Sequence, residues 1–153
     1  MNPSPTDLIT HPALVKIFDE ILVNASDNLQ RSSLTSTVSV TILPGEVDPD
    51  TGSLLSPPLI SVVNDGGTVP VVVHQGENMY LQQMLFGHLL TGSNFKDGDG
   101  ATTGGRHGYG AKLTNIFSKW FEVECNDAES GRNYRARWED NMRTRGKEFF
   151  ERG

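Results

Sequence analysis

Four short stretches carry the residues that could do chemistry. The first is 103–118, TGGRHGYGAKLTNIFS, where Gly104, Gly105, Gly108 and Gly110 alternate with Arg106, His107, Tyr109, Ala111 and Lys112. An apolar helical pattern then begins at Ala111, Leu113, Ile116 and Phe117. Glycines let a backbone approach a ligand closely, and a helix N-terminus offers unpaired N–H groups with a partial positive charge. With Arg106 and Lys112 as countercharges, these features make a phosphate cradle. The plainer alternative is a glycine-rich turn into an ordinary surface helix. Neither common phosphate motif fits. A P-loop requires G-x-x-x-x-G-K-[ST] after a strand, whereas Ala111 separates Gly110 from Lys112 and Leu113 follows. A dinucleotide fingerprint requires G-x-G-x-x-G, and here the order is reversed, Gly105-x-x-Gly108-x-Gly110. A phosphate site in this stretch therefore belongs to another fold.

The second set is Glu20, Asn24 and Asn28, with Asp27 beside the last two. Spacing of four residues lines them along one stripe of a helix, bordering its apolar face. A carboxylate there can act as a general base on water, and an amide oxygen can ligand Mg²⁺; a plain solvated stripe is the alternative. The third is VVNDGG, residues 62–67. It reads either as a simple turn or as Asp65 aimed at an exocyclic amine of a base, with glycines letting the ligand lie against the backbone. The fourth is Gly92, Ser93 and Asn94 at the mouth of a long polar loop, suited to sugar or phosphate contact.

The elements that must hold these groups follow from periodicity. Leu14, Ile17, Phe18, Ile21, Leu22 and Ala25 predict an amphipathic helix over 12–28, with Pro12 in its first turn. Val38, Val40 and Ile42 alternate with polar residues, predicting a strand whose antiparallel partner is 59–63. Residues 44–58 form a long hairpin connection between them. Residues 69–73 are extended, and 77–90 are expected to form a second helix packing Met79, Leu85, Phe86, Leu89 and Leu90. Residues 91–105 read as a binding loop. A third helix runs to about residue 118, then strands over 121–125 and 134–138 flank a turn. The last dozen residues give no assignment. Cys125, Trp120 and Trp138 are expected in the core, and His74 and His88 at the surface without metal-ligand spacing.

Composition sets bounds on function. The chain has 153 residues, 36% of them hydrophobic, with 16 Gly and 8 Pro, which fits one loop-rich domain with a modest core. Its single cysteine excludes an internal disulfide framework and fits a reducing compartment. No segment reads as a secretory signal or membrane span. A net charge of −6 argues against this segment being a broad DNA-binding surface. The arginines concentrated in 132–152 read as a solvated mixed-charge face.

The order of motifs then becomes specific. A helix reading FDEILVNASDN, a strand ending VVNDGG, then TGSNF, then GGRHGYGAKLTNIFS resembles the GHKL class of ATPases, and within it the ATPase region of eukaryotic type II DNA topoisomerase. The resemblance covers 12–125 and implies a residue-by-residue assignment. Glu20 aligns with the general base that activates the hydrolytic water. Asn24 aligns with the Mg²⁺ ligand, and Asn28 falls within the same ATP site. Asp65 stands at the adenine-reading position. Gly92, Ser93 and Asn94 align with nucleotide contacts. Gly105, Arg106, His107, Gly108, Tyr109, Gly110, Ala111 and Lys112 align with the phosphate-binding lid. The implied fold is α/β, a two-layer sandwich of a mixed, mostly antiparallel sheet with helices on one face. Residues 1–10 would be a flexible leader and 11–153 a partial ATP-binding domain.

The implied cofactors are ATP and Mg²⁺, and the implied role is ATP-driven closure of a dimer gate for DNA strand passage. DNA would be met by domains outside this chain, in a homodimer, without a membrane, in the nucleus or in an organelle. Two features depart from the pattern: Thr68 stands where the motif's second glycine belongs, and His107 replaces an asparagine. A dimerising arm and a transducer lysine that reaches the γ-phosphate also lie outside these residues, so the chain reads as a fragment, a truncated product or an incomplete gene, with weak or no turnover alone. The rival readings are another GHKL ATPase, such as a chaperone or mismatch-repair protein, and a non-catalytic nucleotide-binding module.

Overall fold

The computed structural model describes residues 12–31, 37–89, 109–146 and 148–152. The leader and the loop at 91–105 lie outside them. Helix α1 (Pro12–Arg31) runs three residues past its expected end. Its stripe closes on Ala25, which is buried, while Leu14, Val15 and Val23 face outward. The helix packs on the antiparallel pair β1 (Val38–Leu43) and β4 (Leu59–Asn64). They pair antiparallel as expected, in the register Val38↔Asn64 through Leu43↔Leu59, but Val40 and Ile42, on the face that alternation would bury, are exposed.

The connection between them carries a hairpin of its own, β2 (Glu46–Val47) with β3 (Leu54–Ser56). Its turn is built by Asp48, whose Oδ1 accepts the amides of Asp50 at 2.8 Å and Thr51 at 3.0 Å. The left-handed Gly52, at φ 68°, completes it. These strands bury little: Ile42, Leu43, Val47, Leu54, Leu55 and Val63 are all exposed.

The segment expected to be one long helix over 77–90 is instead a tight hairpin followed by a short helix. Strand β5 (Val73–His74) pairs with β6 (Met79–Tyr80), and α2 covers only Leu81–Phe86. The apolar period in this stretch loses to turn chemistry. The amide of Glu77 donates to His74 Nδ1 at 3.2 Å and that of Asn78 to the His74 carbonyl at 2.8 Å. Asn78 is left-handed at φ 50°, which Asn tolerates and a helix does not. At the other end Gly87 closes the helix against the ring of Trp138. Extended structure expected over 69–73 is paired only from Val73, because Val71 turns into the core instead.

Helix α3 (Tyr109–Ile116) ends two residues early, where Ser118 Oγ donates to the Thr114 carbonyl at 2.6 Å. Strands β7 (Trp120–Asp127) and β8 (Arg132–Glu139) pair along their whole length, each longer than its apolar pattern. The unassigned tail supplies β9 (Thr144–Arg145) and β10 (Phe149–Arg152), both on β8. Every strand pairing among the described residues is antiparallel. The architecture is α/β, with few helices; where one mixed sheet was expected, the described strands form separate antiparallel sheets, β7–β10 as four strands and β1–β4, β2–β3 and β5–β6 as pairs.

The core lies on one face of β7–β8. Val71, Cys125, Tyr134, Ala136 and Trp138 are buried there, with Tyr80, Phe86, Phe121, Val123 and Met142 packed around them. Cys125 and Trp138 are where the sequence puts them. Trp120 is only half-buried, with the Arg137 guanidinium 4.4 Å above its ring. The outward face of β8 is the mixed-charge surface expected of the arginines: Arg135 pairs with Glu122 and Arg137 with Glu139, both at 2.9 Å.

Candidate functional site

Helix α1 gathers three of the four stretches. Glu20 lies midway along it, with Lys16 Nζ 2.7 Å from its Oε1. This hydrogen-bonded pair holds the Lys16 ammonium above its usual pKa. The opposite side of the Glu20 side chain meets the first turn of α3. A Cβ built on Gly110 would overlap the Glu20 carboxylate and lie 2.8 Å from its Cβ, so only glycine fits there. The approach is locked one turn on, where Thr114 Oγ1 donates to the Ile17 carbonyl at 2.7 Å. Next along α3, Asn115 Nδ2 donates to the Phe86 carbonyl at 2.8 Å and ties α3 to α2.

At the other end of α1, Asn28 Nδ2 donates to the Gly67 carbonyl and binds the NDGG loop to the helix. Asn24, between Glu20 and Asn28, is exposed. The loop starts from Asp65, exposed at the end of β4. Asp65 Oδ1 accepts the amide of Thr37 at 2.8 Å, and the Asp65 amide returns a bond to the Thr37 carbonyl at 3.2 Å. Gly66 takes φ 84°, which explains that glycine. Asn64, half-buried beside Asp65, donates to the Asp65 carbonyl at 3.3 Å.

Thr68, next to Gly67, is half-buried. Burial pushes the pKa of the Cys125 thiol up, with the neighbouring Thr68 and Gln82 side chains opposing it. Gln82 itself is fully buried, donating to the carbonyls of Val69 at 2.8 Å and Pro70 at 3.2 Å.

Among the lid residues, Tyr109 opens α3, and Gly110, Ala111 and Lys112 follow in its first turn. Ala111 is buried, and Lys112 is only 3% exposed, its ammonium pushed down in pKa by burial. Helix α3 turns its Ala111, Lys112 and Asn115 stripe inward. Gly92, Ser93, Asn94, Gly105, Arg106, His107 and Gly108 lie outside the described residues. The groove on the outward face of β7 and β8, lined by Glu124, Asn126, Asn133, Arg135 and Phe149, contains none of the site residues. Sequence reasoning missed Lys16, Thr114 and Asn115. The i, i+4 Lys–Glu pair and the two polar residues interrupting an apolar helix were the available signals.

Comparison with solved structures defines the class of fold. No protein-family model matches the sequence. The structure aligns with part of an ATPase and transducer region of DNA topoisomerase II from Balamuthia mandrillaris (TM-score 0.71, 53% identity, 92% of this chain and 33% of that one). It aligns equally with the ATPase region of Saccharomyces cerevisiae topoisomerase II (TM-score 0.74, 43% identity, 94% of this chain and 35% of that one).

Curated sequences agree. A mitochondrial DNA topoisomerase 2 of Dictyostelium discoideum is 50% identical over 131 residues, 86% of this chain and 9% of that protein. DNA topoisomerase 2 of Arabidopsis thaliana is 50% identical over the same length, 8% of its own. The chain is a homologue of the type II DNA topoisomerases and matches part of their ATPase region. It spans less than a tenth of the length of these curated relatives. Nothing in these matches favours the chaperone, mismatch-repair or non-catalytic readings.

Proposed function

We propose that this chain is part of the ATP-binding and ATP-hydrolysing region of an ATP-dependent type II DNA topoisomerase. The observation that carries this is convergence. Residues near 20, 66 and 110, far apart in sequence, meet along one helix through the Glu20–Gly110 approach and the Asn28–Gly67 hydrogen bond. Glu20 is the general base that takes a proton from the attacking water. Asp65, with Asn64 beside it, reads the adenine edge, and Gly66 and Gly67 let the base lie flat on the backbone. The first turn of α3 and the glycine-rich residues before it receive the phosphates.

The donor set fits Mg²⁺. Among the described residues no three His, Cys, Asp or Glu side chains gather into a ready-made cage. A single exposed amide oxygen at Asn24 suits a cation that takes few protein ligands and completes its shell with phosphate and water. Bound there, the ion would neutralise phosphate charge. In a whole enzyme of this kind, nucleotide binding closes a gate between two protomers and drives one DNA duplex through another, in the nucleus or mitochondrion.

Calorimetry of the 153-residue chain with a non-hydrolysable ATP analogue tests the reading. Binding is expected with Mg²⁺, weakened at least about tenfold by Asn24→Ala through loss of a metal ligand. No saturable binding with Mg²⁺ present, in a chain that melts cooperatively, refutes it.

A further inference from the structure

The Glu20 carboxylate is held from two sides in a way that its proposed role does not require. Lys16 Nζ lies 2.7 Å from Oε1, while the rest of the carboxylate lodges against Gly110 in the first turn of α3. Lys16 is 70% exposed and its partner 24% exposed. An exposed i, i+4 pair contributes little to stability, so its effect here is on orientation. The seat itself is favourable for a carboxylate, because a helix N-terminus carries partial positive charge. It exists only because residue 110 lacks a Cβ and because Thr114 holds α3 against the Ile17 carbonyl.

We propose that Lys16 is a positioning residue for Glu20: its ammonium group fixes one carboxylate oxygen and so seats the side chain against Gly110 at the start of α3. This makes Gly110 the floor of the general base as well as part of the glycine-rich stretch. It also couples the base to α3 before nucleotide arrives. The inference rests on Glu20 being the base, but its test does not depend on that reading.

The test is nuclear magnetic resonance on the full 153-residue chain. A cross-relaxation peak between the Glu20 Hβ/Hγ protons and the Gly110 Hα protons is expected in the native protein. Lys16→Met should weaken or abolish that peak while the thermal melting temperature stays put. Lys16→Arg, which restores the charge, should restore the peak. An unchanged peak in Lys16→Met, or one that Lys16→Arg fails to recover, overturns the proposal. Lys119→Met, the same change at an exposed lysine outside α1, serves as the control; loss of the peak there as well also counts against Lys16. Calorimetry with the Mg²⁺–ATP analogue runs alongside. Absent binding with a Lys16-dependent peak defeats the ATPase reading and leaves the Lys16–Glu20 device standing. Binding with a Lys16-independent peak does the reverse.

Discussion

Gly87 packs so closely under Trp138 that its replacement gives a clean measure of the core. A Cβ at residue 87 would fall well inside contact distance of Trp138 Cε2, Cζ2 and Nε1. Non-bonded carbons settle at about 3.5–4.0 Å, so ring or helix must shift by more than ~1 Å. Trp138 is 1% exposed and hemmed in by Phe121, whose ring centroid lies 6.2 Å away, so the shift propagates. Overpacking of this kind costs about 1–3 kcal/mol. The backbone at Gly87, φ −133° and ψ 8°, is open to alanine, so Gly87→Ala also recovers about 0.4–1 kcal/mol of unfolded-chain entropy.

The net expectation is a loss of about 1–2 kcal/mol, a fall in Tm of about 2–8 °C for a chain of this size. Thermal melting followed by tryptophan fluorescence reads it. In a Trp138→Leu background the same substitution should lose most of its cost, since the ring it strikes is gone. A Gly87→Ala chain that melts at or above the native temperature, or an unchanged cost in the Trp138→Leu background, refutes the packing argument.

Other expectations concern the joints of the site. Thr114→Val removes the hydrogen bond to the Ile17 carbonyl and should cost about 1 kcal/mol in urea unfolding. Asn28→Ala releases the Gly67 carbonyl; amide exchange over 66–68 should accelerate and affinity for the ATP analogue should fall. Asp127 accepts Ser130 Oγ at 2.7 Å and the Val71 amide at 3.0 Å, which hold its carboxyl below the usual range. A depressed carboxyl pKa contributes stability that is present above the unfolded value, about 3.9, and lost as pH falls through the folded one. Asp127→Asn should therefore flatten that part of the acid-denaturation curve. Cys125, buried with a raised pKa, should resist thiol reagents in the folded chain at pH 8 and react freely on unfolding.

Periodicity made much of this molecule legible before any coordinates. The α1 stripe, the β1–β4 pairing and the β7–β8 hairpin each repeat one signal over enough residues to outweigh local exceptions. Helix α2 failed because a single left-handed asparagine and a histidine ring accepting a backbone amide redirected the chain, and neither leaves a periodic trace. At the site, residue types and spacing picked out Glu20, Asn28 and Gly110. What they could not supply was the reason for Gly110, which is the carboxylate of Glu20 sitting where a Cβ would be. Nor could they tell that Asp65 also staples the chain before β1 through the Thr37 amide, or that Lys112 turns inward.

The uneven burial of the β1–β4 and β7–β8 sheets has a consequence for how the molecule opens. Tyr134, Ala136, Trp138 and Val71 are sealed together on the β7–β8 side. The β1–β4 pair rests on α1 with Val40, Ile42, Leu43, Ile60 and Val63 left facing water. Local opening free energies track such differences in buried apolar contact. Hydrogen exchange should therefore divide the chain into two cooperative units. Amides of β7 and β8 would exchange only on global unfolding, and those of β1 and β4 well before it. Among the described residues β1 and β4 pair only with each other, so the early-opening unit presents exposed apolar side chains beside open strand edges, the template from which sheet-to-sheet association grows. In concentrated solution, self-association should begin from the β1–β4 half while the Trp138 core is still closed.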